Sequence, residues 1–168
     1  MRPRHDRDGE PPGGRLSEPV RVGLRVAADA AGQGRHPATV AVGRLLEAAP
    51  WATTAVTGLD ETVSEGAGCV HADPETWFPA AGDNDNGSPE LRAQERRRAG
   101  RLCAGCPVAA PCLALSYALR ATGAHGVWGG LSAADRRELR PLWAELGRRL
   151  TAARPAPTPV TPPTGEHR

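Results

Sequence analysis

Four cysteines carry most of the chemistry this chain can do: Cys69 and, after a gap of thirty-three residues, the group Cys103, Cys106 and Cys112. Three sulfurs in close succession and one distant partner can surround a single centre. Thiolates are soft ligands, so the spacing admits either zinc or an iron–sulfur centre. A zinc site built from paired knuckles would give Cys69 a companion two residues away, which it lacks, and would tolerate poorly the five residues between Cys106 and Cys112. Both features favour iron–sulfur chemistry. A helix expected to begin near Cys112 would also aim its positive amino end at the centre, where the net negative charge of an all-cysteine cluster is favoured. Two plainer alternatives stand beside this reading. One is four structural thiols; the other is a thioredoxin-like redox pair at Cys103 and Cys106, for which the sequence offers no strand–helix–strand context.

The segments that must position these sulfurs are few. The 168 residues include 20 Gly and 17 Pro but only four Trp, one Tyr and one Phe, so the folded core is expected to fill under half of the chain. A domain that small gains much from a metal staple. Residues 1–34 mix Gly, Pro and Arg without periodicity, and a short helix is expected from Ala38 to Ala49 around Val40, Leu45 and Leu46, making 1–50 a disordered or marginally helical extension. Residues 51–68, rich in Thr, Ser and Gly, read as a linker, and 69–154 as the folded domain.

Within that domain, Asp73-Pro74-Glu75 and Ser88-Pro89-Glu90 each combine an N-cap, a proline at the first helical position and an acid in the first turn. The first predicts one helical turn presenting Trp77 and Phe78. The second predicts a helix through Leu102 that delivers Cys103, with Arg96, Arg97 and Arg98 on a solvated stretch. Between them, 82–89 reads as a mobile loop. A helix beginning near Cys112 should stop at Gly123; a further one, capped by Ser132, should be broken or restarted by Pro141 before Leu142, Trp143, Leu146 and Leu150 continue an apolar stripe. The Pro/Thr-rich tail at 155–168 is expected to be disordered, and removing it together with 1–34 should leave stability nearly unchanged. The fold class that follows is mainly α: a small helical domain organised around four cysteines, with disordered ends.

The net charge of +2 excludes little, and all 21 basic residues are arginine, so their number says less than their placement. The first fourteen residues lack the apolar run of a secretory signal, and no stretch approaches a membrane span, which predicts a cytoplasmic protein without membrane contact. In a reducing cytoplasm, cysteines serve as metal ligands or redox thiols more readily than as permanent disulfides. His71 and His125 read as exposed polar residues.

The ordered combination CVHADPETWFP, CAGCPVAAPCLALSYAL and GVWGGLSAADRREL resembles the WhiB-like family of actinobacterial regulators, over the stretch from Cys69 to about Leu142. The resemblance implies that Cys69, Cys103, Cys106 and Cys112 ligate one 4Fe-4S cluster open to attack by oxygen or nitric oxide. It further implies that cluster loss frees the thiols for intramolecular disulfides, and that the apo form binds DNA. The tryptophan–glycine turn of that family matches Gly126, Val127, Trp128, Gly129 and Gly130, which implies contact with the carboxyl-terminal domain of the primary sigma factor; the alternative is that Trp128 only covers the cluster. Two departures are visible. The interval from Cys69 to Cys103 is long for the family, and Trp77 stands where phenylalanine is common. A glycine-flanked Arg-Pro hook for the minor groove is also absent.

Arg136, Arg137 and Arg140 lead a modestly basic carboxyl-terminal stretch and are the candidate DNA-phosphate contacts, with a solvated helix face as the alternative. The function expected is a redox-responsive transcriptional regulator acting through sigma factor and DNA, and not an enzyme. Its rivals are a zinc-stapled interaction module and a protein disulfide reductase using Cys103 and Cys106, the latter without a visible general base or nucleotide motif.

Overall fold

A computed structural model describes residues 16–34, 37–78 and 88–153. Six α-helices form the scaffold: α1 (Glu18–Gly32), α2 (Thr39–Ala48), α3 (Val56–Gly66), α4 (Pro89–Leu102), α5 (Ala109–Ala118) and α6 (Ala133–Ala152), joined in places by single 3-10 turns. The fold is mainly α as expected, and the described residues hold one isolated bridge, between Trp128 and Leu131, in place of any strand. Among the described residues no helix is long and apolar enough to cross a membrane. The expectations for residues 1–15, for most of the 82–89 loop and for the 155–168 tail lie outside the described residues.

The centre of the fold is α5. Leu113, Ala114, Leu115, Ser116 and Tyr117 are consecutive and all buried, so this helix is enclosed on every face. On one side Leu113 and Tyr117 join Val22, Val26, Leu45, Leu131, Leu139, Leu142 and Leu146 in the main core; on the other, Ala114 and Leu115 join Leu59 of α3 under Trp51, Trp128 and Trp143. Tyr117 stacks on Trp143 with ring centroids 4.8 Å apart.

Two segments read as unstructured are integral to this packing. In α1, Val22, Val26 and Ala30 recur every four residues and are buried, while Ser17 and Pro19 open the helix and Glu18 sits in its first turn. The stripe consists of small side chains and is easily overlooked among Gly and Arg, but small is what the site requires. A Cβ on Gly23 would stand 2.8 Å from Leu46 Cδ2, so α1 and α2 approach closely there. Residues 51–68 likewise contain α3, anchored by the buried Leu59 and the half-buried Val63, and are not a linker.

Helix α6 runs through Pro141 without a break. An interior proline costs a helix roughly 3 kcal/mol. Leu139, Leu142 and Leu146 flank it and are buried against α1 and α2, and at about 1.5–3 kcal/mol for each fully buried leucine their packing offsets that cost. The helix expected to end at Gly123 stops earlier, at Ala118, where Leu119 leaves the helical region with ψ 70°.

Candidate metal centre

Each cysteine is placed at the end of an element. Cys69 follows α3 in a turn that Ala72 N–H closes onto the Cys69 carbonyl at 3.0 Å. Cys103 caps the carboxyl end of α4, whose start is fixed by Ser88 accepting from Leu91 N–H at 3.3 Å, as the sequence predicts. Gly105, at φ 72°, turns the chain so that Cys106 N–H reaches the Cys103 carbonyl at 3.2 Å. Cys112 lies in the first turn of α5, which begins at Ala109, so the amino end of that helix is beside the sulfurs. All four cysteines line one cavity of about 760 Å³ together with Trp77, Phe78 and Trp128.

All four cysteines are free. Burial pushes the Cys103 thiol up, aided by the negative charge that Cys106 and Cys69 would carry. Burial pushes the Cys112 thiol up to about 12, and Cys103, Cys69 and Cys106 add to the effect. The buried Cys103 and Cys112 thiols therefore hold their protons unless positive charge enters beside them. Among the described residues, no three or more His, Cys, Asp or Glu side chains converge tightly enough to hold a metal ion.

Gly126, Val127, Trp128 and Gly129 line the cavity, and Gly130 completes their turn. It is closed by Trp128 N–H donating to Leu131 carbonyl (3.1 Å) and Leu131 N–H to Trp128 carbonyl (3.0 Å). Gly130 and Gly129 use their backbones to hydrogen-bond Cys103 and Cys112 respectively, favouring the ionised sulfur in both. Only glycine fits at Gly129: its φ is 55°, and a Cβ would lie 2.5 Å from the Ala109 carbonyl oxygen. Val127 N–H donates to the Trp77 carbonyl at 2.9 Å, so the turn also holds the Trp77 and Phe78 segment. Trp128 is half-buried; it packs against Leu59, Ala114 and Leu115 and its Nε1 donates to the His125 carbonyl at 2.9 Å. His71 and His125 are exposed.

The arginines divide unexpectedly. Arg136, a candidate phosphate contact, is 2% exposed. Its guanidinium donates to the carbonyls of Gly126 (2.8 Å), Leu131 (2.9 Å), Gly123 (3.0 Å) and His125 (2.9 Å), so it braces the glycine turn from within and cannot meet DNA. Arg137 and Arg140 are half-buried, Arg140 lying 5.8 Å from the centre of the Tyr117 ring. Arg96 is not on a solvated face either: it grips Asp135 through Nε (3.0 Å) and a terminal nitrogen (2.7 Å), joining α4 to α6. Arg98 donates to the Thr76 carbonyl and, at 3.2 Å, to the Phe78 carbonyl, holding the cavity wall. These bracing roles leave no mark in a pattern of residue types. A run of arginines reads the same whether it faces water or a row of carbonyls.

Residues 64–139 match the family described as transcription factor WhiB. The chain is 40% identical over 76 residues to the transcriptional regulator WhiB2 of Mycolicibacterium smegmatis, covering 45% of this chain and 49% of that protein. It is 37% identical over 76 residues to the transcriptional regulator WhiB of Streptomyces coelicolor, covering 45% of this chain and 72% of that one. With the redox-responsive transcriptional regulator WhiB3 of Mycolicibacterium smegmatis it shares 37% identity over 71 residues, covering 42% and 68%. The chain thus spans about half the length of the WhiB2 relative. No solved structure matches it.

Proposed function

This chain belongs to the WhiB family of transcription factors, and on that premise we propose that it is a redox-responsive regulator whose Cys69, Cys103, Cys106 and Cys112 hold one 4Fe-4S cluster. The observation that carries the reading is the meeting of four thiols around a single cavity, two of them hydrogen-bonded by the backbone of Gly129 and Gly130. The donor set suits the group: four soft sulfurs, backbone donors to offset their charge, and a helix amino end beside them. When bound, the cluster would supply a one-electron centre that oxygen or nitric oxide attacks. The chain's own part is to hold the sulfurs, shelter them with Trp77 and Trp128, and couple their arrangement to the glycine turn.

That coupling gives the regulatory output. The surface around Trp128 is proposed to dock the carboxyl-terminal domain of the primary sigma factor; in support, Val70 and Phe78 of the same cavity wall are exposed apolar side chains. Loss of the cluster unties Cys69 from the 103–112 segment, weakens the sigma contact and leaves the apo form the stronger DNA binder, through Arg137 and Arg140, in the cytoplasm. No catalysis is proposed; the relatives are named as transcriptional regulators.

Anaerobic purification followed by absorption and Mössbauer spectroscopy, with iron and sulfide analysis, tests the cluster. About four irons and four sulfides per chain are expected, falling sharply when any one of the four cysteines is replaced by serine. Colourless protein with stoichiometric zinc would overturn the reading. A sigma-factor pull-down with holo, apo and Trp128→Ala protein, beside a salt-titrated DNA shift assay, tests the output; equal sigma binding by all three, or equal DNA binding by apo and holo forms, would refute it.

A further inference from the structure

Helix α2 lies outside the stretch matched to the family, yet it reaches the glycine turn beside the cavity. Its buried face, Ala41, Leu45 and Ala48, packs on α5 and α6, and this sets Arg44 against the glycine turn. A Cβ built on Gly130 would stand 3.3 Å from Arg44 Nε and 3.5 Å from the guanidinium carbon, so the guanidinium rests on the backbone of Gly130. Gly130 is the residue whose backbone hydrogen-bonds Cys103, so the guanidinium lies next to the donor that serves this sulfur. Arg44 also pairs with Glu47 at 2.8 Å, but the arginine side chain is 29% exposed and the glutamate 56%, so water screens the carboxylate more than the guanidinium.

We propose that Arg44 is the charge-setting residue of the cysteine centre: a fixed cation brought in by α2, resting on Gly130 beside Cys103, that stabilises negative charge in the cavity and so favours the reduced form of the bound cluster. This rests on the cluster reading above. Reduction is the transfer of one electron from a reduced mediator, which is oxidised in turn, to the thiolate-ligated cluster, and it adds one unit of negative charge to a site already negative. A nearby cation stabilises the more negative member of that pair.

The test uses full-length holo protein in an anaerobic spectroelectrochemical titration of wild type, Arg44→Gln, Arg44→Lys and Glu47→Gln. One charge several ångströms away in a largely aqueous surrounding changes the reduction equilibrium by about two- to threefold. Arg44→Gln is expected to shift the potential more negative, Glu47→Gln more positive, and Arg44→Lys to stay near wild type, with the differences shrinking as salt is raised. A second measurement needs no cluster. In reduced apo protein, both iodoacetate and iodoacetamide react with the ionised sulfur, so the ratio of their rates at Cys103 cancels the extent of ionisation and reports the local charge. Arg44→Gln should lower that ratio about twofold and Arg44→Lys should restore it. An unchanged ratio, or equal changes in the Gln and Lys variants, would overturn the proposal. If no iron–sulfur spectrum forms, the cluster reading fails and the alkylation ratio still decides whether Arg44 sets the charge.

Discussion

Replacing Arg136 by methionine is the sharpest test of the packing described above, because it separates a brace from a DNA contact. Four carbonyls receive the guanidinium, at 2.8, 2.9, 2.9 and 3.0 Å. His125 is exposed, so water can replace the arginine at its carbonyl, whereas Gly123, Gly126 and Leu131 are buried. Leu131 still accepts from Trp128 N–H, so the loss falls on Gly123 and Gly126 at about 1–3 kcal/mol each, and the relief of no longer burying a charge offsets part of it. A destabilisation of about 3 kcal/mol is expected, a large share of the 5–15 kcal/mol typical of a domain. Lysine, with three donors and no planar fork, should recover only part of it. Arg140→Met, removing a cation that lies over the Tyr117 ring, should cost under about 1 kcal/mol. Urea unfolding of the reduced apo protein reads all three. If Arg136→Met unfolded within about 0.5 kcal/mol of wild type while DNA affinity fell, the guanidinium would be meeting phosphate and the bracing role would be wrong.

Deleting residues 1–34 removes Val22 and Val26 from the core; at about 1.5–3 kcal/mol each, a fall in melting temperature of at least about 10 °C is expected by calorimetry, and an unchanged transition would show α1 to be dispensable. Gly129→Ala forces a Cβ within 2.6 Å of Leu113 Cβ at a φ of 55° and should cost at least about 2 kcal/mol in urea. The control Gly147→Ala, with nothing within 4 Å, should stabilise α6 by about 0.5–1 kcal/mol. Cys112 gives the apo protein a pH dependence. Because burial raises its folded pKa from 9.0 to about 12, the protonated thiol favours folding, so this contribution is complete below pH 9 and is lost as pH rises from there toward about 12. Thermal melts across that range should decline, and Cys112→Ala should flatten the decline.

The helices on either side of Cys103 and the glycine turn were readable from local rules. Ser88-Pro89-Glu90 starts α4 because an N-cap hydroxyl and a proline act within one turn, and that helix ends where Cys103 is needed. Ser132 likewise caps α6 by accepting from Asp135 N–H at 3.2 Å. The extent of the folded body was not readable in the same way. The four-residue spacing of Val22, Val26 and Ala30 is a weak signal among glycines and arginines, and it acquires meaning only when Leu45, Leu142 and Leu146 stand opposite. Pro141 breaks a helix by local rule and is tolerated because leucines on either side of it are buried.

By itself the sequence determined where α4 and α6 begin and that the fold is mainly helical, since each of these depends on residues within a turn or two of one another. Tertiary structure alone decided what the arginines do. Arg136 meets carbonyls ten and thirteen residues away, Arg96 a carboxylate thirty-nine away, and Arg44 a glycine on the far side of the chain. A guanidinium has the same composition whether it is solvated, braced or set beside a sulfur. Its role follows from the acceptors that folding brings to it, and those are distant in sequence.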